Sequence, residues 1–398
     1  MTEPVLIVGA GPVGFVAALR LVRAGVPVVL AEKDTELQHD LRASTFHPPT
    51  LEMLDELGLT EGLLSEGLRT RTWQIRLHET HEKAEFDLDA IRDDTRYPFR
   101  LQVEQRVLCK LAAALAANEP LLDLRMGTEL IDFSQTAEHI VAHLRTANGS
   151  EQTLKAPFMI AADGARSIVR EKLALSFEGL TYPETTLLVT TDFDFAAHLP
   201  GLSNVNYVWY EHGTFSLLRL PDIWRCSLYP DAHESDADAL RPENIERKLQ
   251  RIVPRDTHYE IREARPYRIH QRIVDDYRVG RILLAGDAAH LNSPSGGMGM
   301  NGGIHDAFNL TGKLPSVVAG EAPIELLDLY TRQRQPVAKQ QILQQAHQNR
   351  TRMQQRDPEA RRAELKRLQA IAADPVKARE HLLRSSMITG LREAATIA

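Results

Sequence analysis

The stretch VLIVGAGPVGFVAALRLVRAGVPVVLAE, Val5–Glu32, decides the fold. Val5–Val8 with Gly9 reads as a short, fully apolar strand. A glycine turn follows, then an apolar-rich helix from about Val13 to Ala24, then a second strand, Val28–Glu32. That order is a βαβ unit. Gly9-Ala10-Gly11-Pro12-Val13-Gly14 is GxGxxG set between strand and helix, the placement that gives the pattern chemical meaning. Gly9 permits the tight turn, Gly11 lets backbone approach a pyrophosphate, and Gly14 allows close helix–strand packing. The helix start at Pro12 and Val13 carries about half a positive charge and favours an anion. Glu32, at the end of the second strand with Lys33 beside it, can accept hydrogen bonds from a ribose diol. An acid there disfavours a 2′-phosphate, which leaves NAD and FAD both open.

Around this unit the composition is that of an ordinary folded chain. Its 398 residues are 43% hydrophobic and 25% charged, enough for two or three domains with sizeable cores. The net charge of -7 provides no basic field for nucleic acid. Arg361, Arg362, Lys366 and Arg367 alternate with acids and read as a solvated helix face. The two cysteines, Cys109 and Cys226, lie far apart and form no disulfide framework or CxxC motif, which fits a reducing cytoplasm. The N-terminal apolar run has no basic segment before it, so it reads as a buried strand and not a signal peptide or membrane span. "HETHE", His78–Glu82, places its histidines three apart instead of four, so no metal site is expected.

Further along, helices are expected at Thr50–Leu57 and near Gln105–Ala117, where Leu108, Leu111, Ala112 and Leu115 share one face. From about Tyr182 to Tyr229 the runs "TTLLVTTDFDF", "NVNYVWYE", "TFSLLRL" and "RCSLYP" alternate with turn residues, as in an antiparallel sheet. "TWQIRLHET", Thr72–Thr80, could join it, making both domains discontinuous. Buried-strand character returns at Arg281–Ala285, and charge-rich helical sequence runs from about Ile324 to the end, packed on the core or on another subunit. The expected class is therefore α/β: a Rossmann-like nucleotide-binding domain, a β-sheet substrate domain and C-terminal helices. Residues 1–71, 100–178 and 272–323 are assigned to the first, 72–99 and 179–271 to the second, and 324–398 to the third.

Two more motifs, in order, join the glycine turn: "ADGARSIVR", with Asp163-Gly164, Ser167 and Arg170, and "GDAAH", with Gly286-Asp287. The ordered set resembles the single-component flavin monooxygenases of the para-hydroxybenzoate hydroxylase type over the first three quarters of the chain. The resemblance implies FAD as cofactor, with Asp287 on its ribityl chain and Asp163 in a turn near the cofactor. It also places Arg42 at the active-site entrance with Ser44 beside it, and Arg106 near the FAD phosphates. Gln102 and Gln105 are adjacent polar candidates. Some members carry a histidine just after the entrance arginine; Ser44 at that place puts such a base in doubt.

In this setting the loop "NSPSGGMGMNGG" is a flavin cradle. Backbone N–H groups from Gly297 through Gly299 and Met300 to Asn301 could face the flavin edge and stabilise its reduced form. Pro294 could present its carbonyl beside the oxygen site, and Met298 and Met300 add apolar bulk against water. The implied reaction uses NAD(P)H as a transient reductant and O2, through a C4a-hydroperoxyflavin, to hydroxylate a small aromatic, phenolic substrate. Tyr207 and Tyr210 are the catalytic candidates from the second domain, beside Trp209, His212 and Arg219, with alternate members lining the pocket. A monomer or homodimer is expected. The rival readings are a flavin reductase or dehydrogenase of the same fold without oxygen insertion, and a flavin-containing binding protein.

Overall fold

A computed structural model describes residues 3–38, 43–231, 234–294 and 296–398, without the side chains of residues 183, 341–343 and 345. Arg42 falls outside the described residues.

The nucleotide-binding sheet has six strands in the spatial order Arg278–Val279, Ile282–Leu284, Met159–Ala161, Val5–Val8, Val28–Glu32 and Leu122–Met126. All neighbours are parallel except the short terminal pair. Val5–Val8 lies at the centre, with Leu6 opposite both Val29 and Met159, which is why all four of its side chains are buried. Helices Pro12–Arg23, Gln105–Ala116 and Gly299–Thr311 and a three-stranded antiparallel sheet, 128–156, share one core with it. Phe15, Leu108, Ile304, Ile140 and Leu144 are all fully buried there. Each such side chain contributes about 1.5–3 kcal/mol relative to exposure. Alternation over 140–146 marks that antiparallel sheet in retrospect.

The second sheet has eight strands drawn from four stretches of sequence: Thr72–Leu77 and Lys83–Asp87; Glu178–Thr191; 205–228 with Ile261–Ile273; and His290–Leu291. Thr72–Leu77 runs parallel to Val205–Tyr210, joining the early strand to the later meander. His290–Leu291 pairs with Ile261–Ile273, so the chain enters the Gly-rich loop directly from this sheet.

The C-terminal helices pack on this same chain. Leu365, Leu368, Leu382 and Ile388 join Trp73, Phe86 and Trp209 in one apolar cluster. Arg361 departs from the solvated face expected of its cluster: it is buried and donates to the carbonyls of Tyr210 and Gly213, both at 2.8 Å. Tyr210 and Gly213 are the closing pair of a hairpin, and the guanidinium clamps both of their carbonyls at its turn. Arg362, Lys366 and Arg367 are exposed. No helix among the described residues is long and apolar enough to cross a membrane.

Candidate active site

The glycine turn is built by backbone approach. Gly9 has φ +101°, and a Cβ on Gly14 would lie 1.9 Å from the Gly9 carbonyl oxygen. Gly11 differs: a Cβ there meets nothing within 4 Å, so it borders open space at the helix start. Glu32 closes the turn, accepting the Ala10 N–H at 2.8 Å and the Asp34 N–H at 3.0 Å. Pro12 and Val13 open the helix, and Lys33 is exposed just beyond, on a polar groove with Arg145 and Glu129.

The Asp-Gly segment lies next to it. Asp163 Oδ2 accepts the Val169 N–H at 3.2 Å, while Oδ1 is buried without a partner. Burial raises this carboxyl above its ordinary range. Ser167 caps the short helix Ile168–Lys172 through the Arg170 N–H. Arg170 lies over the Phe177 ring and donates to the Ala288 carbonyl at 2.9 Å, tying the second motif to the third.

In that third motif, Asp287 sits on the turn Gly286–Ala288 just after a buried strand, with its side chain exposed. The loop beyond is fixed by Asp306 and Arg334, which sequence reasoning passed over, together with His290 of the motif itself. Asp306 is fully buried and accepts from the Gly286 N–H at 3.1 Å and from Arg334 Nε at 2.7 Å, and its Oδ2 lies 2.8 Å from His290 Nε2. Burial alone would raise the Asp306 carboxyl, but Arg334 and His290 hold it below the ordinary value. A carboxylate twenty residues past Gly286 inside an apolar helix was the available signal, and its partner Arg334 comes from the C-terminal region.

Helix Gly299–Thr311 begins at the loop, so the N–H groups of Gly299, Met300 and Asn301 have no intrahelical acceptor. Gly297 departs from the expectation, because its N–H donates to the Pro294 carbonyl at 2.9 Å. That bond closes a tight turn, taking both the Gly297 donor and the Pro294 carbonyl into the loop's own structure; Pro294 itself is exposed. The Asn301 side chain is likewise committed, donating to Thr45 and Gly297 carbonyls at 2.8 and 2.6 Å.

Beside the loop, Gln102 is fully buried; its Oε1 accepts from Thr45 Oγ1 at 3.0 Å and its Nε2 has no partner. Gln105 instead begins the next helix, half-buried. Ser44 is buried and within 3.3 Å of Arg225 Nη1. Arg106 is exposed and paired with Glu104.

A cavity lies where three regions meet: Trp73, Ile75 and Tyr207 of the large sheet, Gly296 and Met298 of the loop, and Asn349, Arg352 and His381 of the C-terminal helices, with Arg100 between them. Tyr207 is on this wall. Tyr210, three residues on, points to the opposite face and packs edge-on against Phe215, 5.1 Å away. A strand's alternation separates the two, so Tyr210 does not line the cavity. Trp209 donates to the Arg352 carbonyl, Arg219 lies over Trp224, and His212 is exposed. Arg100, Arg352 and His381 carried no motif; only the packing of distant segments brings them here. Among the described residues no group of three or more His, Cys, Asp or Glu side chains could hold a metal.

Open space at Gly11, an unpartnered Asp163 oxygen, an unpartnered Gln102 amide and a helix start facing the loop together fit FAD laid from the glycine turn to the cavity. Fold and site thus define an FAD-dependent oxidoreductase with an aromatic-walled cavity at the flavin end. The family model described as "FAD binding domain" matches residues 2–346, and the chain belongs to that family of FAD-dependent aromatic monooxygenases. It is similar to a para-nitrophenol 4-monooxygenase of Pseudomonas sp. (strain WBC-3), 31% identical over 98% of this chain and 97% of the relative. A pentachlorophenol 4-monooxygenase of Sphingobium chlorophenolicum is 34% identical over 86% of this chain and 63% of its own length. The crystal structure of a p-nitrophenol 4-monooxygenase from Pseudomonas putida DLL-E4 superposes with a TM-score of 0.90 at 30% identity, covering 98% of both chains. An aklavinone-11 hydroxylase solved with FAD and aklavinone gives 0.75 at 28% identity, over 85% of this chain and 66% of that one.

Proposed function

We propose that the enzyme hydroxylates a small phenol at the ring carbon para to its hydroxyl, with NAD(P)H reducing the FAD and O2 supplying the oxygen atom. One observation carries the reading: the aromatic-walled cavity adjoins the Gly296–Met298 loop, so a ring held by Trp73 and Tyr207 would lie at the flavin end of the cofactor site. Full-length similarity to a relative named as a para-nitrophenol 4-monooxygenase, and partial similarity to one named as a pentachlorophenol 4-monooxygenase, support the substrate class and position.

Bound FAD supplies hydride acceptance and oxygen activation. The protein's share is binding, orientation and dryness. Gly11 admits the pyrophosphate and Glu32 the ribose, while Asp163 and Asp287 offer carboxylate oxygens along the cofactor's length. The N–H groups of Gly299, Met300 and Asn301 provide a positive helix end for the electron-rich edge of the reduced ring. Met298, which is buried, and Trp73 exclude water beside the reacting carbon.

The test is an assay of FAD-loaded enzyme with NADH or NADPH across phenols free at the para carbon, where oxygen replaces hydrogen, and para-nitrophenol, where oxygenation at that carbon must expel nitrite and leave a quinone. Substrate-stimulated NAD(P)H oxidation matched by a product oxygenated at the para carbon is expected. Oxygenation elsewhere on the ring, or oxidation of NAD(P)H without product, would contradict it.

A further inference from the structure

The cavity carries a charge that the protein leaves unmatched. Arg100 is 3% exposed, its Nε is buried without a partner, and no carboxylate among the described residues pairs with it. Its neighbours are neutral: the Trp73 ring, 5.1 Å from the guanidinium carbon, and the Tyr207 phenol on the same cavity wall. Arg352, the other cavity arginine, is paired with Glu364 at 2.8 Å. No acid lines the cavity. A buried guanidinium without a counterion is costly unless an anionic ligand completes the pair.

His381 stands on the same cavity, held from the C-terminal helix Pro375–Ser385. Its ring stacks on Phe86, with centroids 4.5 Å apart, and its Nε2 is buried without a partner. We propose that Arg100, with Tyr207 and His381, receives the substrate as an already ionised phenolate, and that the enzyme selects phenols acidic enough to arrive in that form. The inference rests on the phenol-hydroxylase reading above.

The imidazole is poorly suited to take the phenol's proton itself. Burial, then Arg352, Arg100, Arg384 and Arg367, lowers its pKa to about 4, so near neutral pH it is uncharged and can offer Nε2–H to an oxygen anion. The remaining close ring neighbours, Phe86 and Trp73, bear no charge. Arg100 supplies the countercharge and His381 a second donor; no proton has to move on binding.

Titration of the FAD-loaded enzyme with para-nitrophenol, less acidic para-substituted phenols and 4-nitroanisole, followed by the flavin absorbance change across a pH series, tests this. Affinity should fall about tenfold per pH unit below each phenol's own pKa, with a midpoint that moves from phenol to phenol. The anisole, which cannot ionise, should bind far more weakly. Arg100→Gln should lose about 10- to 150-fold for the phenolate, the range of a hydrogen bond to a charged group, with anisole binding and flavin content unchanged. Arg100→Lys should recover part of the loss. A midpoint that stays at one pH for every phenol, or equal weakening toward phenol and anisole, overturns the inference while leaving the hydroxylase reading intact. Failure of every phenol to perturb the flavin overturns both. The wild-type series stands alone should Arg100→Gln not fold.

Discussion

Asn301 binds Thr45 across 256 residues of sequence: its carboxamide Nδ2 donates to the Thr45 carbonyl at 2.8 Å while its Oδ1 accepts the His47 N–H at 2.9 Å. The side chain is fully buried and also donates to Gly297. A single amide therefore fixes the flavin loop against the strand that follows the first βαβ unit. Each buried partner orphaned by Asn301→Ala costs about 1–3 kcal/mol. Urea unfolding of this variant should show a loss of at least about 2 kcal/mol, with faster FAD release. Unchanged stability would mean that the loop is held by other contacts.

Gly11 and Gly14 separate cofactor binding from folding. Gly11 has φ −77°, which suits any residue, and open space at its Cβ, whereas a Cβ on Gly14 collides with the Gly9 carbonyl. Gly11→Ala should leave apoprotein stability within about 0.5 kcal/mol, as for a substitution meeting no contact. Its FAD affinity should fall at least about tenfold, since the methyl enters the space assigned to the pyrophosphate. Gly14→Ala should lower both. Isothermal titration with FAD beside apoprotein melting would distinguish them, and equal loss by both variants would contradict the assignment of that space.

Acid should destabilise the native loop through His47. The imidazole is fully buried, with Nε2 2.8 Å from the Gly296 carbonyl, and burial, followed by Arg100, lowers its pKa to about 3 from the ordinary 6.5. Between those values the unfolded chain binds a proton that the folded one refuses. Stability from this group is complete above about pH 6.5 and is lost progressively as pH falls toward 3. Subtracting the urea stability curve of His47→Gln from that of the wild type should isolate this slope. Parallel curves would rule the contribution out.

Asp306 and Arg334 form a buried pair in which either partner alone is a liability. Removing one charge leaves the other uncompensated, at about 3–5 kcal/mol. Arg334→Met should therefore cost more than the double variant Asp306→Leu with Arg334→Met, as measured by a double-mutant cycle. An additive double variant would show that the pair is not coupled.

What the sequence made legible follows the range of the interactions. Val5–Glu32 is local: strand, turn and helix are written in adjacent residues, and the helix and strand bounds agree within a residue, Pro12–Arg23 and Val28–Glu32. Gly297 shows the limit of that locality. Its glycine-rich setting suggested a donor for the flavin, but a turn to Pro294 three residues earlier uses the N–H. Arg100 and His381, 281 positions apart by subtraction of their numbers, meet only because helices after residue 346 fold back over the second sheet. Neither sits in a motif, so periodicity could place His381 and Ser385 on one helix face but not on the cavity. Tyr207 and Tyr210 fall between these cases: strand alternation predicts that they face opposite ways, and tertiary packing decides which faces the cavity.

The central claim is oxygen transfer to a phenol at the FAD-facing cavity, and isotope-labelled dioxygen tests it most directly. With FAD-loaded enzyme, NAD(P)H, a phenol and ¹⁸O2, mass spectrometry should find one ¹⁸O atom in each molecule of hydroxylated product. A product oxidised or reduced without label, or labelled only from H2¹⁸O, would contradict the account and favour a reductase or dehydrogenase on the same fold.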